Sequence, residues 1–499
     1  MAWYAAAPME AITPRKPPTT RARWPLFLWG FVYLAVAGLL QADARVPWDA
    51  DTSYHVAVAR LIREHGILHS FPWTPFSWLA DHYADKELLF HLLLVPFAGL
   101  DWMLCARIVG TLVGAATLFC TYLILRSENV RAAGLWALLP LVASLVYAFR
   151  FILVRPHVAS VALALIVLWS AARRRYFVLA TAAVLYPWAY VGWYLAILLT
   201  LLAEFARLVA GDRLTWRPLG LVLGALAIGI AVHPNNLNLL RLSWLVDVKL
   251  LVGTAWAGTA GLELGEEFRH FTLYEWWRYL GATVLASGCA MVVGWRHRRD
   301  DTLTLAFSLA TFAFGLLSVF TARFAEYFVP FAFVSLAFAS RHLRWRHLVA
   351  AVTLGLALYS AAPLADLVRG LREREELIPD ELAARLRERI PPGAQVFTCG
   401  WLLTGTMMLA LPDRRFVVAL DPTFFLVRDP GLYRLWFSIP RQPPPDVAEV
   451  IRKGFGARYV MCLREARYGS FFERLALEPG VRSIVSTPYW NVYALQARD

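Results

Sequence analysis

Runs of about twenty apolar residues, separated by short arginine-bearing turns, leave a chain one stable way to fold: as helices side by side in a lipid bilayer. Eleven such runs are present, at 24–42, 104–125, 132–149, 158–172, 176–188, 190–208, 216–233, 277–295, 302–320, 325–340 and 346–364. Several are short, and Pro187 interrupts the fifth. Short or broken spans usually line a recessed cavity rather than face lipid along their whole length. A hydrophobic content of 59% with only 17% charged residues, and a mean hydropathy of +0.51, exclude an ordinary soluble domain. The expected fold is mainly α, a polytopic membrane bundle of about 11 transmembrane helices.

The formal charge of +13 is almost all arginine, because lysine occurs only at 16, 86, 249 and 453. In a soluble protein such a balance points to nucleic acid. Here the arginines fall in alternate turns: Arg126 and Arg131; Arg173, Arg174 and Arg175; Arg207, Arg213 and Arg217; Arg296, Arg298 and Arg299; Arg341, Arg344 and Arg346. That pattern is a topology signal, positive inside, and excludes a nucleic-acid partner. It puts the N-terminus in the cytoplasm and the C-terminus outside. Residues 1–23 read as a cytoplasmic tail; the apolar run that follows lacks a small-x-small cleavage site, so it is an anchor and not a signal peptide. Residues 24–364 form the transmembrane domain, and 365–499 an extracytoplasmic domain.

Between the first two spans lies a polar outer loop, 43–87, which contains Asp49-Ala50-Asp51-Thr52-Ser53-Tyr54-His55 and Asp81-His82-Tyr83-Ala84-Asp85-Lys86-Glu87. Charged groups held this close to lipid usually bind or react with something. From Thr52 to His65 the apolar residues recur at helical spacing, so an amphipathic helix along the interface is expected. Asp51 can cap it. Asp49 has no such structural use and is a candidate general base or, with Asp51, a ligand for a divalent cation such as magnesium or manganese. His55, His82, Asp81 and Asp85 can converge on the same ion, although no His-x-x-x-His spacing supports it and hydrogen-bonding roles compete. Arg155-Pro156-His157 lies in a very short outer turn, and His233-Pro234-Asn235-Asn236 closes a span on the same side. Arg323 and Glu326 are spaced to pair across one helical turn.

After residue 365 the pattern becomes that of a soluble α/β domain: helix 379–389, strands at 395–398, 415–420 and 458–461, a helix at 447–454 and an aromatic pair of strands near the end. Cys399 and Cys462 each end a strand there and can pair if the domain is extracytoplasmic; Cys105, Cys120 and Cys289 lie in apolar runs and read as packing residues.

An aspartate motif in the first outer loop, interfacial helices, a lysine (Lys86) leading into an apolar helix, and Arg107 and Arg126 around the next span resemble the GT-C glycosyltransferase superfamily. That superfamily includes protein O-mannosyltransferases, the aminoarabinose transferase of lipid A and the catalytic subunit of oligosaccharyltransferase. Asp49 to His55, Thr74-Pro75-Phe76-Ser77, Cys399-Gly400-Trp401 and Ala419-Leu420-Asp421 look most like uncharacterised bacterial GT-C-like proteins. Lys86 is followed by Glu where relatives often have Pro, and no WWD-like motif is present. The resemblance implies a multi-pass enzyme of the bacterial inner (plasma) membrane. It would move a sugar from a polyprenyl-phosphate-linked donor to an acceptor on the extracytoplasmic face, with inversion. Asp49 would act as base and Asp51 as metal ligand or support. Lys86, Arg155, Arg269 and Arg323, with Arg150, would meet the donor phosphate, and His55, His82, His157 and His233 would line the substrate site. The competing readings are a lipid or solute transporter and a non-catalytic scaffold of envelope assembly.

Overall fold

The computed structural model describes residues 24–42, 50–250, 269–343 and 375–496, with scattered positions between 351 and 373. The membrane part is a stack of helices: α1 (Trp24–Ala42), α2 (Ala50–His65), α3 (Leu88–Leu94), α4 (Trp102–Ser127), α5 (Ala133–Ala143), α6 (Leu145–Ile152), α7 (His157–Ala172), α8 (Tyr176–Ala189), α9 (Leu195–Ala210), α10 (Arg217–Ala231), α11 (Asn236–Ser243), α12 (Leu273–Arg296), α13 (Thr302–Phe320) and α14 (Ala325–Ala339).

Among the described residues, four helices are long and apolar enough to cross a membrane, or six if two bent pairs each count as one span. The expected run at 132–149 is one bent pair, α5 and α6 meeting at 98°, and the run at 216–233 is the first arm of the other, α10, which turns by 119° into α11. The cause is local in each case. Ser144 leaves the helical region (φ −144°, ψ 117°) and caps α6 through its hydroxyl, while Pro234 cannot continue a helix. Runs 158–172 and 176–188 form α7 and α8, which are shorter, and 346–364 falls mostly outside the described residues.

Four of the arginine turns are tied together: those at 126–131, 173–175, 296–301 and 341–346. Glu128 accepts from Arg173 and from the Trp169 indole, and Arg341 links the Glu128 carbonyl to Asp301, the N-cap of α13. Inside the bundle α4 and α7 touch through Thr117, whose hydroxyl donates to the Val158 carbonyl at 3.0 Å. Gly229 of α10 brings the backbones of α8 and α10 together, since a Cβ there would lie 2.4 Å from the Val184 oxygen.

The C-terminal domain is built on a five-stranded sheet in the order β2-β1-β3-β5-β4, with β1 (Gln395–Phe397), β2 (Arg415–Phe416), β3 (Tyr459–Leu463), β4 (Val481–Ser486) and β5 (Trp490–Leu495). β1 pairs parallel with β2 and β3, and the terminal hairpin adds antiparallel strands beside β3. Cys399 and Cys462 are joined by a disulfide that ties the end of β1 to β3. Trp436 fills the core beneath, with its indole N–H on the Thr398 carbonyl at 2.7 Å.

Candidate active site

The outer loop is clamped between the bundle and the C-terminal domain. The Trp73 indole donates to the Pro412 carbonyl at 2.8 Å, and the Trp73 carbonyl accepts from the Phe416 amide at 2.7 Å, extending the β2 edge. Arg428 bonds both the Ser77 carbonyl and Asp81, at 2.9 and 2.6 Å. The helix expected along the membrane interface is instead buried: residues 52–59 of α2 are covered, largely by the outer-domain helix Thr404–Ala410. The two backbones touch at Gly405, where a Cβ would sit 2.0 Å from the Ala50 carbonyl oxygen. Only a glycine permits that approach. Asp49, immediately before this contact in the chain, lies outside the described residues.

Asp51, in the first turn of α2, meets Arg155 of the short 153–156 turn at 3.0 Å; its carboxylate is 40% exposed, so the pair opens to a solvent-accessible space. The Arg155 guanidinium at that distance compensates the Asp51 charge through one carboxylate oxygen. His157 opens α7 and bonds the Arg150 carbonyl through Nε2 at 2.8 Å, fixing the turn that carries Arg155. Arg150 in turn donates from Nε and Nη2 to one oxygen of Glu326, at 3.1 and 2.6 Å. The Tyr190 hydroxyl bonds the other oxygen at 3.4 Å, and Arg323 donates to that hydroxyl at 2.7 Å. The spacing of Arg323 and Glu326 predicts a direct pair; Arg150 takes the carboxylate instead, and Arg323 joins through Tyr190. Asp51–Arg155 and Arg150–Glu326–Tyr190–Arg323 are thus two polar groups carried by the 150–157 segment, with three guanidiniums against two carboxylates among the described residues.

A second cluster lies where the loop re-enters the bundle. His91 of α3 donates from Nδ1 to Asp85 at 2.7 Å, and its Nε2 faces the His55 Nδ1 at 2.8 Å. Glu87, the N-cap of α3, places one oxygen 3.1 Å from the Lys86 ammonium and the other 3.9 Å from His55. Burial pushes the Glu87 carboxyl up, but Lys86, His55 and His91 outweigh it and hold the group at about 2. Tyr54 and Tyr83, fully buried beside Asp85 and Glu87, are driven well above the usual phenol range, by burial first and then by those carboxylates. Asn235 anchors the cluster from the α10–α11 turn: its Oδ1 accepts from the Asp85 amide and its Nδ2 donates to the Leu68 carbonyl. His233 orients Asn235 by accepting from its amide at 3.1 Å.

The remaining predicted residues lie apart from these networks. His82 stacks on Trp78 at 4.9 Å and lines a pocket of about 430 Å³ with Arg241, Trp244, Leu245 and Val427. Arg269 forks onto Glu275, which completes the Thr272 capping box of α12. Sequence alone singles out neither Tyr190 nor Gly405, and it gives Asn235, His91 and Glu87 no roles of their own. The one local signal is the Glu87-x-x-x-His91 spacing across a turn of α3.

No family model matches the chain, and no curated protein matches it by sequence. Solved structures do. ArnT from Cupriavidus metallidurans bound to undecaprenyl phosphate superposes with a TM-score of 0.60 at 13% identity, covering 95% of this chain and 99% of that one. The same protein in the apo state gives 0.56 at 14% identity over 95% and 100% of the two chains. Arabinofuranosyltransferase AftD from Mycobacteria gives 0.57 at 16% identity over 96% of this chain but only 40% of its own longer one. At such identities what is shared is the fold: the chain is folded as ArnT and AftD are.

Proposed function

Starting from a GT-C fold whose outer face gathers carboxylates, arginines and a lysine, we propose a membrane glycosyltransferase. It moves a sugar from a polyprenyl-phosphate-linked donor to an acceptor on the extracytoplasmic face of a bacterial inner membrane. The chain crosses the bilayer eleven times, with the N-terminus in the cytoplasm and the disulfide-bearing domain outside, where oxidation is favoured. The observation that carries the reading is the solvent-open Asp51–Arg155 pair at 3.0 Å, on the same 150–157 segment that brings Arg150 to Glu326. Arginine forks suit phosphate oxygens, and a cation placed where phosphate charge develops stabilises the transition state more than the ground state.

In the reaction the acceptor heteroatom bonds to the anomeric carbon from the face opposite the phosphate, inverting it. The carbon–oxygen bond to phosphate breaks, its electron pair leaves with the polyprenyl phosphate, and the acceptor's proton passes to Asp49. Arg155, Arg150, Arg323 and Lys86 receive the phosphate charge, while Asp51 keeps Arg155 in position. The donor's tail stays in lipid as the acceptor arrives from water, which accounts for a site at the interface.

The test is binding in nanodiscs. Undecaprenyl phosphate should bind saturably and undecaprenol much more weakly. Arg155→Ala should weaken the phosphate about 10- to 100-fold, on the scale of one or two lost charge-assisted hydrogen bonds. Equal binding of the phosphate and the alcohol would remove the donor assignment.

A further inference from the structure

The geometry points to a transition-metal site, of zinc type, formed by His55, His91 and Glu87 at the junction of α2 and α3, distinct from the Asp51–Arg155 pair. The donor atoms of these three buried residues lie within 4.8 Å of one another. A tetrahedral ion with bonds of about 2.0–2.1 Å holds its ligands about 3.3 Å apart. The His55 Nδ1 to His91 Nε2 separation is 2.8 Å and that from His55 Nδ1 to Glu87 is 3.9 Å. These two distances bracket that spacing, and the His91–Glu87 pair, within 4.8 Å, completes the triangle that side-chain rotation would have to close onto the ion.

The surroundings match a metal ligand set in two further respects. Asp85 accepts the Nδ1 proton of His91, which leaves the Nε2 lone pair directed into the cluster. A carboxylate behind a ligating imidazole is the usual way a protein fixes tautomer and ring orientation at a metal. The two Glu87 oxygens are divided, one on Lys86 and one toward the histidines, so Glu87 can bind an ion without releasing Lys86. Two imidazole nitrogens and one carboxylate favour zinc, cobalt or iron over magnesium, which prefers oxygen. Bound there, the ion would pin both ends of the outer loop and hold Lys86 beside Glu87. The competing occupant is a proton, giving an imidazolium in the His55–His91 pair.

Metal content and spectroscopy decide between them. The full chain, purified without metal-affinity resin from zinc-supplemented medium, should carry close to one zinc per molecule by mass spectrometry. Chelator-stripped protein should take up one Co²⁺ with the intense visible bands of a low-coordinate site and should gain thermal stability on adding Zn²⁺ alone. His91→Gln and Glu87→Gln should abolish the Co²⁺ bands. Asp85→Asn should keep the bands but weaken affinity 10- to 100-fold. Wild-type protein that holds under about a tenth of an equivalent, shows no saturable Co²⁺ spectrum and does not change its melting temperature with Zn²⁺ overturns the site and leaves the imidazolium pair. Because these measurements use the wild-type chain, the result does not depend on any variant folding.

Discussion

Each side chain at the outer face has a cost that its partners must offset, and the partners predict what substitution does. Glu326 is fully buried in the first turn of α14 and is held there by Arg150 and Tyr190. Removing its charge leaves a guanidinium without compensation, which typically costs about 3–5 kcal/mol. Glu326→Gln should therefore lower the melting temperature in detergent sharply; an unchanged midpoint would mean the pair is dispensable. Asp49 differs in kind. Its proposed interaction exists only in the reacting complex, so Asp49→Asn should leave the fold intact while slowing transfer about 10²–10⁴-fold. Near-normal turnover by a well-folded Asp49→Asn protein would take it out of the base role. Asp51→Asn should be milder on the chemical step and show itself in donor affinity, because that residue steadies Arg155.

At the level of elements, position depends on a few close approaches. The outer-domain helix Thr404–Ala410 can lie on the start of α2 only because Gly405 has no side chain, its absent Cβ falling 2.0 Å from the Ala50 carbonyl. Gly405→Ala must push these backbones apart and shift the start of α2, Ala50 and Asp51 included. Displacement of a reacting group by about 1 Å can cost on the order of 10²-fold, so turnover should fall by far more than the melting temperature implies. Gly134→Ala makes a comparable clash against the Trp29 ring on α1 and should reduce stability while sparing the turnover of what remains folded. If both variants lost activity only in proportion to stability, the contact would be packing alone. These approaches also mark where sequence reading stops. Apolar runs foretell most of the helices, and alternating strand and helix patterns foretell the outer sheet, because local periodicity reflects local burial. The bends at Ser144 and Pro234 carry punctuation that can be read after the fact. The lie of α2 does not: its amphipathic pattern fits a lipid surface and a protein surface equally well.

For the molecule as a whole, what is legible in the sequence is where charge gathers beside the spans and not how those charges pair. A polar loop beside a span is conspicuous because charge near lipid is expensive, and His55, Lys86, Arg155 and Arg323 stand out in that way. Their partners come from across the chain, Arg150 and Glu326 being 176 residues apart, and no periodicity encodes such pairs. The arginine turns imply a sidedness under the positive-inside rule, and a disulfide between Cys399 and Cys462 suits the proposed outer side, where the compartment is oxidising. One orientation then has to satisfy the lipid-borne donor, the aqueous acceptor and the oxidised domain together. Ser470, exposed at the start of the helix Gly469–Leu477, reports on it. In a variant without the free cysteines 105, 120 and 289, Ser470→Cys should react with a membrane-impermeant maleimide in spheroplasts. Asp300→Cys, in an arginine turn on the opposite side, should react only after lysis. Labelling in the reverse order would place the outer loop, its carboxylates and its arginines in the cytoplasm, and would remove the reason for an extracytoplasmic acceptor.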